Sequence, residues 1–151
     1  MTESPVTKIV LKNFLASVEG AIGTSMFRHL YVRDETNRES DVLENGKLSC
    51  AYAVSSLLTL YGLIDAPHAT VATTLKRMAE SGWRASDAPH VGAVAYWPEY
   101  EGNEHIGFVV SERECVSNSS KEGTPIRHGM TLSTGVEATK FYLHPTLIGE
   151  K

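Results

Sequence analysis

The sequence predicts an α+β fold in which helices pack on one antiparallel sheet. Apolar residues recur at helical spacing through the first half of the chain and at strand spacing through the second. Between them lies a stretch opened by a cysteine and apolar on nearly every face, the signature of a helix buried in the middle of a domain. The 151 residues are expected to form one domain, with a helical N-terminal extension over 1–45 and a core over 46–145.

The first helix is expected over residues 6–20, where Val10, Phe14 and Val18 repeat every fourth position beside Leu11 and Leu15, and Gly20 and Gly23 close the pattern. Residues 26–32 are mixed and apolar, a short strand or a turn of helix, and 33–41 read as a polar surface loop. The central helix is expected from Cys50 to Leu63, with Ser49 placed to cap its first turn and Gly62 to end it. A turn at Asp65-Ala66-Pro67 leads to an amphipathic helix over 70–81, with Val71, Leu75 and Met78 on its apolar face.

The period then changes. Strands are expected over 91–97, 106–110 and 115–119, with weaker candidates at 124–128 and 139–144; 86–89 reads as a loop, and 98–104 as a polar connection turning at Gly102-Asn103.

Composition narrows the function classes. A net charge of -4 argues against a general nucleic-acid binder, which needs a basic face. No apolar run approaches the ~20 residues that span a bilayer. The opening Met1-Thr2-Glu3-Ser4-Pro5 lacks the basic and apolar signature of a secretory signal, so the expected location is the cytoplasm, or outside it by a signal-independent route. Two cysteines, Cys50 and Cys115, are too few for a disulfide scaffold, and neither a C-x-x-C pair nor a histidine pair at metal-ligand spacing occurs; no metal or other cofactor is expected. Oligomeric state is not written in the sequence.

Cys50 is the chemical focus. A thiol on the first turn of a helix feels the positive end of the peptide dipoles, which favours the nucleophilic thiolate. Thiol catalysis also needs an imidazole within reach and a polar group to orient it. His105 opens a strand, and Ser117 and Asn118 follow one hairpin later. His90 also precedes a strand and competes with His105 for the role, whereas His29, His68, His128 and His144 read as surface or loop residues.

Leu48-Ser49-Cys50-Ala51-Tyr52, the strand from His90 to Trp97, and His105-Ile106-Gly107-Phe108 together resemble the NlpC/P60 and CHAP group of compact papain-like cysteine hydrolases. The resemblance covers roughly residues 48–120. It implies a papain-like core whose central helix carries the cysteine against an antiparallel sheet. It further implies a catalytic set of Cys50, His105 and Asn118, with Ser117 the neighbouring alternative to Asn118. The expected reaction is hydrolysis of an amide bond in a peptide or peptidoglycan fragment. Ser49 and Ala93 stand where NlpC/P60 enzymes usually carry Asp, which leaves the subfamily open.

The oxyanion would be met by the Cys50 N–H and an upstream donor, with Asn45 or Tyr31 as candidates. Trp97, Tyr96 and Tyr100 could line a substrate groove or belong to the core. Two other readings stand beside the hydrolase: a non-enzymatic binding module on the same fold, and a redox-sensing thiol protein using Cys50 and Cys115.

Overall fold

In a strand, successive side chains point to opposite faces, so a sheet with apolar residues at both parities must be covered on both sides. The computed structural model describes residues 5–148, and its elements run α1 (Val10–Gly20), β1 (Tyr31–Arg33), β2 (Glu39–Asp41), α2 (Cys50–Leu60), α3 (Val71–Glu80), β3 (Arg84–Ser86), β4 (Val94–Tyr100), β5 (Asn103–Val109), β6 (Glu114–Asn118), β7 (Pro125–Gly129), β8 (Lys140–Leu143) and α4 (Pro145–Ile148). Four helices and an antiparallel sheet make this an α+β fold. The main sheet has six strands in the order β3-β8-β4-β5-β6-β7, and β1 and β2 form a separate hairpin. Among the described residues, no helix is long and apolar enough to cross a membrane. Residues Met1 to Ser4, which bear on export, lie outside the described residues.

The two parities sort cleanly. Val94, Ile106, Phe108 and Val116 face the helices and pack with Phe14, Val18, Val54, Leu57, Leu58 and Met78. Ala95, Trp97, Val109 and Cys115 face the other way and pack with Leu132 and Phe141. Burying one such aliphatic side chain is worth roughly 1.5–3 kcal/mol, so the larger, helix-covered cluster carries most of the stabilisation.

The structure departs from the sequence reading in several places. The first helix starts at Val10, with Val6 and Ile9 exposed. Ser49 does not cap α2: its Oγ is buried with no partner. By contrast, Thr70 caps α3 by accepting from the Thr73 N–H at 3.2 Å. The N-terminal 45 residues are not all helical, because 31–41 folds into a hairpin. Asp34 Oδ1 accepts from the Thr36 and Arg38 N–H groups and Asn37 takes a φ of 68°, local turn chemistry that a loop-like composition concealed. Strand β4 continues past Pro98, where the register with β5 shifts and no ladder bond is asked of proline. The short β3 and α4 carried no periodic signal.

One glycine decides how closely two strands approach. A Cβ added at Gly107 would lie 2.4 Å from the Ser117 Cβ and 2.8 Å from the Val116 carbonyl oxygen. Beyond Phe108↔Val116 the β5–β6 ladder stops, and β6 runs on towards Asn118. Gly107→Ala should therefore lower the free energy of unfolding by about 1–3 kcal/mol through overpacking at this seam. Urea denaturation monitored by tryptophan fluorescence measures it, and an unchanged midpoint would mean the strands are not held this close.

Candidate active site

The loop before α2 delivers Cys50 under strain. Glu44, Asn45 and Gly46 follow one another at positive φ, 50°, 58° and 88°. Two of the three are not glycine, and each such residue costs on the order of 1–3 kcal/mol unless its surroundings enforce it. The enforcing group is Asp41. Its carboxylate accepts from the N–H groups of Leu30 and Leu43 at 3.0 Å and of Asn45 at 2.9 Å, and from His29 Nδ1 at 2.7 Å. Desolvation opposes ionisation there, but the His29 bond and the three backbone bonds outweigh it and hold the carboxyl well below the usual range. At the end of the loop, the Gly46 carbonyl accepts from Asn118 Nδ2 at 2.7 Å.

Helix α2 then opens against the edge of β5. The Cys50 thiol points at the Glu104 carbonyl oxygen, with Sγ 4.0 Å away. The sulfur thus lies beside the backbone that flanks His105. Cys50 and His105 both line a cleft of about 370 Å³, walled by Leu48, Val71, Tyr100, Glu104 and Asn118 among others.

His105 is 2 % exposed. Its ring packs against Tyr100 and Trp97, with centroids 4.6 and 5.5 Å away. Its Nε2 meets Ser117 Oγ at 2.8 Å, and Nδ1 has no hydrogen-bond partner among the described residues. Ser117 Oγ in turn meets His128 Nε2 at 2.6 Å. The polar partner expected from Asn118 is therefore supplied by Ser117. The parity of β6 explains it: Val116 and Asn118 share the helix-facing side, while Ser117 lies on the side of Cys115, His105 and Trp97. Asn118 serves the loop before Cys50 instead, and its Oδ1 is buried without a partner.

Other expected residues fall elsewhere. Asn45 is outside the cleft, with its Oδ1 accepting from Arg28 Nε at 3.1 Å. Tyr31 is 68 % exposed on the separate hairpin, stacked on His29. Neither can meet an oxyanion beside Cys50; the groups at hand are the Cys50 and Ala51 N–H, left unpaired at the start of α2. Trp97 does not line the groove: it shares its face of the sheet with His105 but is fully buried there, and it donates from Nε1 to the Met130 carbonyl. Tyr96 bonds the Glu104 carboxylate, which pushes its hydroxyl up to about 12. Of the three aromatics, Tyr100 is the cleft residue. His90 is exposed in the loop before β4 and is not part of the site. His128 was missed by sequence reasoning, although its β7 parity with Ile126, opposite Ser117, was a usable signal.

Electrostatically, the resting pair is neutral. Burial pushes the Cys50 thiol up, against the N–H groups of Ile106, Ala51 and Cys50 itself, which favour the thiolate. The expectation that the helix start would lower this thiol is overturned, because desolvation exceeds the dipole's fraction of a kcal/mol or so. Burial also lowers His105 to about 3, and the neighbouring His128 adds to the effect.

The sign of the linkage follows. A histidine whose folded value lies below its ordinary 6.5 leaves the unfolded chain binding the extra proton. Stability is complete above about 6.5 and is lost as pH falls from there towards 3. His128, also lowered by burial, acts in the same direction. Urea midpoints from pH 7 to 4.5 should fall steeply for the native chain and more gently for His105→Gln; parallel curves would show that His105 is not the buried neutral base described.

The chain matches no protein-family model and no curated protein, so what this site does is argued from its geometry and from the residues that build it.

Proposed function

We propose that the protein is a papain-like cysteine amidase acting on peptides. The observation that supports the reading is the shared cleft: it is lined both by a thiol at the tip of a buried helix, which lies against the backbone flanking His105, and by His105 itself, held through Nε2 with Nδ1 left unpartnered. Supporting it is the resemblance of the Cys50 and His105 segments to NlpC/P60 and CHAP hydrolases, which points to peptidoglycan peptides as the substrate class.

The chemistry starts from neutral thiol and neutral imidazole. As Cys50 Sγ bonds to the amide carbon, its proton moves to His105 Nδ1 and the carbonyl electron pair moves onto oxygen. The Cys50 and Ala51 N–H groups meet that oxyanion. Collapse breaks the C–N bond, and His105 returns the proton to the leaving amine. Water, deprotonated by His105, then attacks the thioester; the acid leaves and the thiol is restored. Substrate entry replaces solvent around the pair, so proton transfer is coupled to attack rather than completed at rest. Lys47 on one wall and Glu101 and Glu104 on another suit a peptide carrying charges of both signs.

The raised thiol is the observation that favours a second reading, a binding module that keeps the fold without the chemistry. A redox pairing of Cys50 with Cys115 has less support: both are free, and Cys115 is fully buried with its sulfur against Met130. Incubation with peptidoglycan fragments, read by mass spectrometry, separates these. The amidase reading expects new amine and carboxylate termini from the native chain and from Cys115→Ser. Cys50→Ala and His105→Ala should each lower the rate by at least about a hundredfold. Cleavage that survives Cys50→Ala, or fragments that bind without being cut, would overturn it.

A further inference from the structure

The reaction just described uses His105 Nδ1 as a base, but an imidazole carries its neutral-state proton on either nitrogen. Something must hold it on Nε2. The hydrogen-bond chain behind His105 ends on His128, a residue that the proposed chemistry does not otherwise use.

The chain has a direction that can be read from its far end. His128 Nδ1 lies 2.7 Å from the Gly129 carbonyl oxygen. A carbonyl only accepts, so Nδ1 carries the proton. Turning the ring over would put carbon atoms at both of its polar contacts and forfeit two hydrogen bonds, so the ring orientation is fixed as well. No carboxylate lines the pocket around this chain, whose other walls are Tyr100, Asn118, Ser119, Ile126, Leu132 and Ser133. His128 is half-buried with no anion beside it, and burial lowers its pKa from the ordinary value, so at pH 7.5 it is neutral and its Nε2 is an acceptor. Ser117 has one hydroxyl proton, and at 2.6 Å it must be donated to His128 Nε2. Ser117 Oγ then has only lone pairs to offer at 2.8 Å, so His105 Nε2 must donate to it. His105 Nδ1 is left bare.

We infer that His128 is a positioning residue: through Ser117 it fixes the proton of His105 on Nε2 and leaves Nδ1 as the acceptor that Cys50 needs. The consequence for catalysis rests on the amidase reading; the tautomer itself does not. Proton flow in the chain is closed, since the Gly129 carbonyl can release nothing, so His128 holds the tautomer without acting as a second base.

The test is long-range 1H–15N NMR on histidine-labelled full-length protein at pH 7.5, which reads the protonated nitrogen of each ring directly. The native chain should show His105 as the Nε2–H tautomer and His128 as Nδ1–H. His128→Phe removes the acceptor and frees the Ser117 hydroxyl to donate towards His105, so His105 should shift to a mixture or to Nδ1–H. His128→Gln, whose side-chain oxygen reaches about where Nε2 sits, should restore Nε2–H. In peptide hydrolysis, His128→Phe should lower kcat by about tenfold to a hundredfold with KM nearly unchanged, and His128→Gln should recover most of it. Nδ1–H on His105 in the native chain overturns the inference, and so does an Nε2–H tautomer that survives His128→Phe. Should His128→Phe fail to fold, the native spectrum and His128→Gln still decide. Tautomers as described, in a protein that cuts no peptide, would sink the amidase reading and leave the positioning role standing.

Discussion

The hydrogen bond from Asn118 to the Gly46 carbonyl joins the two halves of the site. It is the point where the loop that delivers Cys50 is fastened to the strand that carries Ser117. The loop has little reason of its own to hold its shape, since it runs through three successive residues at positive φ. Asp41 grips it from one end and Asn118 from the other. The grip is tight: a Cβ on Gly46 would lie 2.5 Å from the Gly123 carbonyl oxygen. The position of the thiol is thus set by long-range contacts that exist only when the sheet is complete, by tertiary structure rather than by the helix that bears it.

That dependence explains the balance of charge in the site. A helix start exposed to solvent would favour thiolate, but here the same packing that fixes Cys50 also dries it, and drying penalises the anion by more than the dipole returns. The histidine is dried in the same way. Burial thus disfavours the charged form of both groups. A site of this kind is quiet until something fills it. The thiol is then protected from casual oxidation, which acts on exposed thiolates.

Much of this architecture was legible in the sequence. The switch from a period of 3.6 to a period of 2 gave the fold class, whereas the face taken by Val94, Ile106, Phe108 and Val116 was not written in the alternation, since apolar residues fill both parities of these strands. The Gly after His105-Ile106 proved to have a steric cause, the Ser117 side chain pressed against it. The same alternation should have placed Ser117 rather than Asn118 behind His105, since a hairpin pairing Phe108 with Val116 puts Gly107 opposite Ser117. What decided the matter was register, and register depends on where the Ser111-Glu112-Arg113 turn begins, which composition does not fix. Trp97 was left open between groove and core for a related reason: a large aromatic at the end of a strand belongs to one or the other according to what covers that face, and the cover here is the irregular segment around Met130 and Leu132. The two upstream oxyanion candidates lie away from the cleft, since Asn45 is turned towards Arg28 and Tyr31 belongs to the separate hairpin, placements that depend on tertiary structure.

Among the described residues, two buried side-chain oxygens are left over, Ser49 Oγ and Asn118 Oδ1. They flank Cys50, one immediately before it in sequence and the other on the residue that fastens its loop. An unpaired buried oxygen costs about 1–3 kcal/mol, so each raises the energy of the resting site. Asn118 cannot relieve this by turning its amide, because that would set its oxygen against the Gly46 carbonyl and lose the bond that holds the loop. Its orientation is therefore fixed by the task it performs, and the orphaned oxygen is the consequence of that task. A hydrophobic residue of similar size would remove the unpaired atom but release the loop. Asparagine is suited to this position because one end of its amide donates across the gap to the Gly46 carbonyl.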